Sequence, residues 1–328
     1  MAKIGLEISR TTRATVCEGD WDGRKSVAIK RINDKDKAHN EAIKYKEYDK
    51  GLNVVRLHYE DVREDHSDLI LEKADCTLTE LMNSYFWGRF PETNTEVSSK
   101  KLDFLRKIRD EKLLGDGKPC ASLKIIKDIV NAVGYLQWKG ELHYNIEPDN
   151  VFIFYEAGAL RAKLSLSQDG TVGWRAPKPK NHPSQENLMF GLGLVVYYCI
   201  TGGKHAFGDI DSPAQCQKNI DSNKLQLGVL SEESRDMITH LLKPIATDRL
   251  DIPSVLCHPF FWDIKKKSSL NTELNIKLRS ATQSHQIYAL NKEKKIGDLT
   301  TNGISASLRN IRNFSKRETQ TIRHLFMI

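Results

Sequence analysis

The sequence predicts an α+β fold, strands first and helices after, and three stretches carry that prediction. From Ala14 to Ile32 apolar and polar residues alternate, with Thr15, Val16, Val27 and Ile29 at strand spacing and Gly19 and Asp22-Gly23 as turn signals. This reads as a hairpin ending in Val27-Ala28-Ile29-Lys30. Leu123 to Leu136 has helical periodicity instead, with Ile125, Ile126, Ile129, Val130 and Val133 on neighbouring turns. Leu192 to Ile200 is an apolar run suited to a buried central helix.

The remaining elements follow in chain order. Glu41-Ala42-Ile43-Lys44-Tyr45 reads as helix, eleven residues beyond Lys30. Asp68-Leu69-Ile70-Leu71-Glu72 is a short apolar strand, Lys73-Ala74-Asp75 a connector, and Leu78-Thr79-Glu80-Leu81-Met82 the start of a helix. Asn83 to Pro119 is polar, with Gly115, Gly117 and Pro119 as breakers, and is expected to be an insertion or long loop. Ser231-Glu232-Glu233-Ser234 supplies capping residues ahead of the apolar stripe in Met237 to Leu242.

Composition narrows the class. A chain of 328 residues with 39% hydrophobic and 28% charged residues fits a folded protein and excludes fibrous and disordered classes. No window approaches the ~20 apolar residues of a membrane span and no signal peptide opens the chain, so a cytoplasmic protein is expected. Cys17, Cys76, Cys120, Cys199, Cys216 and Cys257 show no paired spacing, which argues for reduced, mostly buried thiols over a disulfide framework or zinc site. The net charge of +7 is concentrated after Trp262: Asp263 to Ile328 holds 13 Lys and Arg against 5 Asp and Glu, +8, leaving −1 for the rest. Such a segment suits RNA or another acidic partner, or is a solvated helical surface.

Leu142-His143-Tyr144-Asn145-Ile146-Glu147-Pro148-Asp149-Asn150-Val151-Phe152-Ile153 resembles the catalytic loop of a protein kinase. In that loop an Asp accepts the proton of the substrate hydroxyl and an Asn holds magnesium. Here the base position is Asn145, an amide without useful basicity, and the metal position keeps Asn150. Val27 to Lys30 is similar to the third strand of a kinase small lobe, whose Lys contacts nucleotide phosphates and pairs with a helix Glu, a part that falls to Glu41. The Gly-rich loop of kinases is replaced by Ser9-Arg10-Thr11-Thr12-Arg13-Ala14-Thr15-Val16, which has no glycine to let backbone approach phosphate.

Together with Gly173-Trp174-Arg175-Ala176-Pro177, the run Cys199 to Asp209, Asp248-Arg249-Leu250 and His258-Pro259-Phe260-Phe261-Trp262, these motifs resemble the inositol-requiring-enzyme family of dual kinase/endoribonucleases, closest to its plant-type members. Those proteins sense unfolded protein in the endoplasmic reticulum and splice RNA. The resemblance covers essentially the whole chain but only the cytosolic half of the family's architecture, without the lumenal sensor and membrane span. It implies a bilobal protein-kinase-like fold with a small lobe at 1–74 and a large lobe at 75–262. A truncated all-α ribonuclease-domain remnant follows at 263–328.

Against that family the reactive groups are dismantled. The magnesium Asp falls on Leu166, followed by Ser167 and Gln168; a three-residue slip to Asp169-Gly170 is the alternative. The Glu that closes the Ala-Pro-Glu motif is Lys178, which would face another cation at Arg249, and the Asp expected near the start of the central helix is Leu188. Glu147 stands where the family has a Lys. At an effective dielectric near 20 a unit charge pair ~4 Å apart is worth about 4 kcal/mol, here repulsive toward phosphate. Loss of the base alone costs on the order of 10²–10⁴ in rate. Lys30, Glu41 and Asn150 then read as vestiges, a lobe-bridging ion pair and a loop-bracing amide, with nucleotide binding as the alternative.

In the ribonuclease segment the resemblance carries over Arg312 and Asn313 as the pair that supports the scissile phosphate, while the required His and Tyr positions are Arg317 and Leu299. His324 is the available substitute, and the chain stops at Ile328, before the family's last helices. The expectation is a catalytically inactive regulatory or scaffold pseudokinase. No cofactor is expected, ATP and magnesium included. The implied partners are a second copy or an active family member, in a homo- or hetero-dimer, with weak RNA contact through the basic tail. The alternatives are a residual endoribonuclease using Arg312, Asn313 and His324, a nucleotide-sensing pseudokinase using Lys30, and a decayed copy.

Overall fold

A computed structural model describes residues 2–10, 14–21, 23, 25–91, 96–114, 120–140, 146–166, 171–177, 185–263, 265–269 and 272. The chain divides into two units, residues 1–227 with 241–249, and residues 228–240 with 250–328.

The first unit opens with strands β1 (Ala2–Arg10), β2 (Ala14–Trp21) and β3 (Lys25–Ile32). β2 and β3 are the hairpin read from the alternation, paired from Ala14↔Ile32 to Trp21↔Lys25. The next element is helix α1 (Lys35–Glu47), longer at both ends than the segment around Glu41. Its start is set by Asp34, whose carboxylate accepts the Lys37 N–H at 3.1 Å. Its buried face is Ala38, Ala42 and Tyr45, spaced four and three residues apart. Strands β4 (Leu57–Val62) and β5 (Ser67–Glu72) complete an antiparallel sheet in the order β1-β2-β3-β5-β4. β1 and β4 had no sequence signal of their own. Both sit at sheet edges, where exposure on both sides erases the alternation that marks an inner strand.

The helical part starts with the short strand β6 (Cys76–Thr77) and α2 (Leu78–Trp87). Thr77 and Glu80 form a reciprocal capping box, and Gly88 ends the helix in the left-handed conformation at φ 64°. The stretch expected to be a loop contains α3 (Glu96–Asp110), a four-turn helix. Its apolar positions Leu102, Leu105 and Ile108 recur every three residues and are buried, but the charged residues between them dilute the signal.

Helix α4 (Cys120–Trp138) matches the predicted periodicity. A 3₁₀ turn at Pro148–Asn150 leads into β7 (Val151–Glu156), which pairs with β8 (Ala159–Leu164) and β6 in a second sheet, ordered β6-β7-β8. α5 (Gln185–Ile200) is the central helix: Leu192, Leu194, Val195, Val196, Tyr197 and Tyr198 are all at most 2% exposed. A helix apolar on every side has to be enclosed, at about 1.5–3 kcal/mol per buried large side chain. α6 (Pro213–Asp221) follows. This β-sheet lobe succeeded by helical elements is the kinase-like α+β fold expected from the motifs.

In the second unit lie most of α7 (Glu232–Leu241) and all of α8 (Ile252–Leu256). Ser231 Oγ accepts the Ser234 N–H at 3.2 Å, the cap read from the sequence. Asp236 is held by His258 Nε2 at 3.0 Å and by His240 Nδ1 at 3.3 Å. The ribonuclease remnant expected at 263–328 falls almost wholly outside the described residues, and with it Leu299, Arg312, Asn313, Arg317 and His324.

Among the described residues, Cys76, Cys199 and Cys216 are buried free thiols, and Cys17 and Cys257 are partly buried. No helix there is long and apolar enough to cross a membrane.

Candidate functional site

The site is built where β3, α1, the Pro148–Asn150 turn and the end of β8 converge. On β3, Lys30 Nζ donates to Glu41 Oε1 at 2.7 Å and to Oε2 at 3.0 Å, and both side chains are 15% exposed. The pair expected from the motifs therefore forms. Its role needs correcting: Lys30 and Glu41 both belong to the β-sheet lobe, so the pair ties β3 to α1 and bridges no lobes.

The bridging is done by other groups. Tyr45, one turn beyond Glu41 and 1% exposed, places its hydroxyl 3.0 Å from Ser165 Oγ, and the Leu166 N–H donates to it at 3.2 Å. Burial, followed by the negative charge of Glu41, pushes the Tyr45 phenol well above its usual range, so the hydroxyl keeps its proton. Leu164 exchanges backbone hydrogen bonds with the segment after α1, its N–H donating to Asn53 O at 2.8 Å and its carbonyl accepting the Val55 N–H at 3.1 Å. Lys163 Nζ reaches Glu72 at 2.8 Å. Glu18 on β2 forms an ion pair with Lys73, which follows β5 directly.

The position of the expected magnesium Asp is thus occupied by a leucine that is 2% exposed. Its side chain offers no ligand atom, and its backbone N–H is committed to Tyr45. Ser167, Gln168, Asp169 and Gly170, on which the slipped alternative depends, lie outside the described residues, as do His143, Asn145 and Lys178.

Glu147 is 5% exposed. Its Oε1 accepts from Asn150 Nδ2 at 3.1 Å and its Oε2 accepts the Thr171 N–H at 2.9 Å. Burial raises the pKa of this carboxyl, and the Thr171 hydrogen bonds offset part of the rise. Asn150 braces the loop as expected, through its side chain to Glu147 and through its carbonyl, which accepts the Ser165 N–H at 2.9 Å. These residues do not fit a magnesium–phosphate group, because the Asn150 amide is turned toward a carboxylate and Leu166 contributes nothing. Arg249 donates to Lys243 O at 2.8 Å and Pro244 O at 3.1 Å and lies over the Phe190 ring at 5.0 Å; Lys178, the cation it was expected to face, lies outside the described residues. Leu188 is buried, and Gly191, one turn further along α5, lets the helix approach Ile146; an added Cβ would lie 3.1 Å from the Ile146 Cβ.

The segment after Thr171 is firmly seated. Gly173 has φ 97°, and a Cβ there would come within 3.0 Å of the Pro213 carbonyl. Its N–H donates to Gln217 Oε1 at 3.1 Å. Its carbonyl lies 3.0 Å from His205 Nε2, while His205 Nδ1 accepts the Phe207 N–H at 3.1 Å, which fixes the imidazole proton on Nε2. Burial lowers the pKa of His205 to about 4. Trp174 meets the same ring edge to face at 4.9 Å.

The structure thus brings Lys30, Glu41, Asn150, Glu147 and Leu166 into one neighbourhood. Tyr45 and Thr171 were missed by sequence reasoning. Tyr45 had a usable signal, a tyrosine four residues after Glu41 on a buried helical face; Thr171 acts through its backbone and had none.

No protein-family model matches the chain. Among curated proteins, the serine/threonine-protein kinase/endoribonuclease IRE1a of Arabidopsis thaliana is 31% identical over 303 residues, covering 80% of this chain and 35% of that protein. IRE1 of Oryza sativa subsp. japonica is 29% identical over 310 residues, 87% of this chain and 33% of that protein. An inactive serine/threonine-protein kinase/endoribonuclease IRE1-like protein of Arabidopsis thaliana is 27% identical over 286 residues, 77% of this chain and 50% of that protein. The matches thus span between a third and a half of these relatives' length. Along most of its own length the chain is a homologue of the IRE1 family of serine/threonine-protein kinase/endoribonucleases.

Proposed function

We propose that this chain is a catalytically inactive, kinase-fold regulatory protein of the IRE1 family. The observation that carries the reading is Glu147, a buried carboxylate on the catalytic-loop turn that occupies the Asn150 amide and the Thr171 N–H, beside a magnesium position filled by Leu166. Phosphoryl transfer depends almost entirely on positioning and on cationic stabilisation of the phosphate. A buried anion and an apolar side chain supply neither. A relative described as inactive, similar over 77% of this chain, supports the same reading. The partner proposed is a second copy or an active family member, whose activity this chain modulates by docking.

The test is γ-phosphate transfer by the purified chain with magnesium and ATP, on itself and on a mixed protein substrate. No transfer is expected. Transfer that disappears in Lys30→Met overturns the proposal. The docking role is tested separately by mixing the chain with an active relative's kinase/endoribonuclease region and measuring complex formation and RNA cleavage; neither a complex nor a change in cleavage would remove it.

One observation favours a second reading, a nucleotide sensor: the Lys30–Glu41 pair is intact. Stabilisation by nucleotide of about 2.7 kcal/mol at a hundredfold excess over the dissociation constant, lost in Lys30→Met, would select it.

A further inference from the structure

The helix that the sequence did not announce, α3, touches both the helical part and the sheet. It packs along α2. Lys101 Nζ donates to Glu80 Oε1 at 2.7 Å in the first turn of α2, and the Arg109 guanidinium lies 3.3 Å from where a Cβ on Gly88, the cap of α2, would stand. Phe104 tilts against the Tyr155 ring of β7 at 6.3 Å, and Lys107 Nζ is 5.2 Å from the centroid of that ring. With Leu102, Leu105 and Ile108 at most 9% exposed, apolar burial roots α3 on the helical part.

α3 also packs against β1, an edge strand whose pairing with β2 is irregular between Ile4 and Glu7 and again between Glu7 and Ser9. On β2, against the opposing effect of burial, Lys73, Ser26 and the charge of Lys100 on α3 hold the Glu18 carboxyl below its ordinary pKa. Glu18 stands opposite Ala28, and Val16 opposite Lys30. Side chains two apart on a strand share a face, so Glu18 and Lys30 point to the same side of the sheet, about 7 Å apart along the strand direction. The ionic contacts near this end are part-exposed, with side chains 18% and 25% exposed for Lys101 and Glu80 and 23% and 20% for Lys73 and Glu18. Such pairs are screened and break more easily than the apolar root.

We propose that α3 is a strap, rooted on the helical part and laid against the sheet through Lys100 and Lys101, that restrains the edge of the sheet and so limits the access of solutes to the face carrying Lys30. The root is apolar and the fastening ionic, so the fastening releases first. The proposal concerns access alone and is independent of whether the chain transfers phosphate.

The test compares the full chain with its Lys100→Ala/Lys101→Ala variant in two measurements. One is amide hydrogen exchange. The other is the rate at which Lys30 is acylated by an N-hydroxysuccinimide acetate, mapped by mass spectrometry at less than one acyl group per chain, with the exposed Lys218 as reference. In the variant, exchange in β1 and β2 and acylation of Lys30 are each expected to rise at least threefold, with exchange in α5 and acylation of Lys218 unchanged. Unchanged β1, β2 and Lys30, whatever α3 itself does, would make α3 a surface helix and overturn the strap. A rise in β1 and β2 with Lys30 unchanged would overturn its control of access. Should the double variant lose its fold by circular dichroism, Lys100→Ala alone, which leaves the Glu80 pair in place, is held to the same readouts.

Discussion

Acidification from pH 7 to pH 4 is expected to unload His205. Its imidazole is buried, donates from Nε2 to Gly173 O and accepts the Phe207 N–H at Nδ1, an arrangement that needs the neutral ring. Burial brings the folded pKa to about 4, against 6.5 for an ordinary histidine. The unfolded chain therefore takes up the proton first as the pH falls. Stability from this group is complete above about pH 6.5 and is lost as the pH drops toward 4. At about 1.4 kcal/mol per unit, the difference amounts to roughly 3 kcal/mol.

The assay is urea unfolding at half-unit intervals, comparing wild type with His205→Gln, which can donate and accept but does not titrate. The variant is expected to be less stable at pH 7 by roughly 1–3 kcal/mol, because its amide satisfies the two partners less well. The gap should close by pH 4, with the denaturant slope unchanged. The comparison also cancels Glu147, Asp75 and Asp128, whose raised pKa values act in the opposite direction, adding stability on acidification. A gap that stays constant from pH 7 to pH 4 would refute the assignment of a buried neutral imidazole.

Asp236 is held below the usual carboxylate range by hydrogen bonds from His240 and then His258, so its contribution is present above about pH 3.8 and lost below it. Asp236→Asn should weaken the chain at pH 5 and flatten the additional acid loss at pH 3, read by the same unfolding series. Leu105→Ala in α3 is expected to cost about 2–5 kcal/mol, whereas its exposed neighbour Arg106→Ala should stay within about 0.5 kcal/mol; equal effects would deny α3 its buried face. Incubation with a stem-loop RNA is expected to give no cleavage, and cleavage abolished by Arg312→Ala would overturn the inactive reading.

What the sequence disclosed depended on whether a side chain has to announce its surroundings. The β2–β3 hairpin was legible because its strands alternate around clear turn residues, and α4 because five large apolar residues share one face. α3 was not, since Leu102, Leu105 and Ile108 are separated by residues that read as solvent-facing loop. At the site, the Lys30–Glu41 pair followed from motif spacing, although its reach between lobes did not, because spacing along a chain does not say which lobe a helix joins. Glu147 was visible as a charge reversal; its two N–H partners were not, because one of them is the backbone of Thr171. Tyr45 shows the same limit. A buried tyrosine is legible as core, whereas the identity of the group its hydroxyl meets 120 residues away is a property of the folded chain.

The meeting of Tyr45 with Leu166 also bears on which side chains position 166 tolerates. Leu166→Asp places an anion in a site 2% exposed, beside a hydroxyl that already takes the backbone N–H. Without a counter-ion such a group is penalised heavily. Leu166→Asp is therefore expected to destabilise the chain, so the buried leucine is part of what holds β8 against α1.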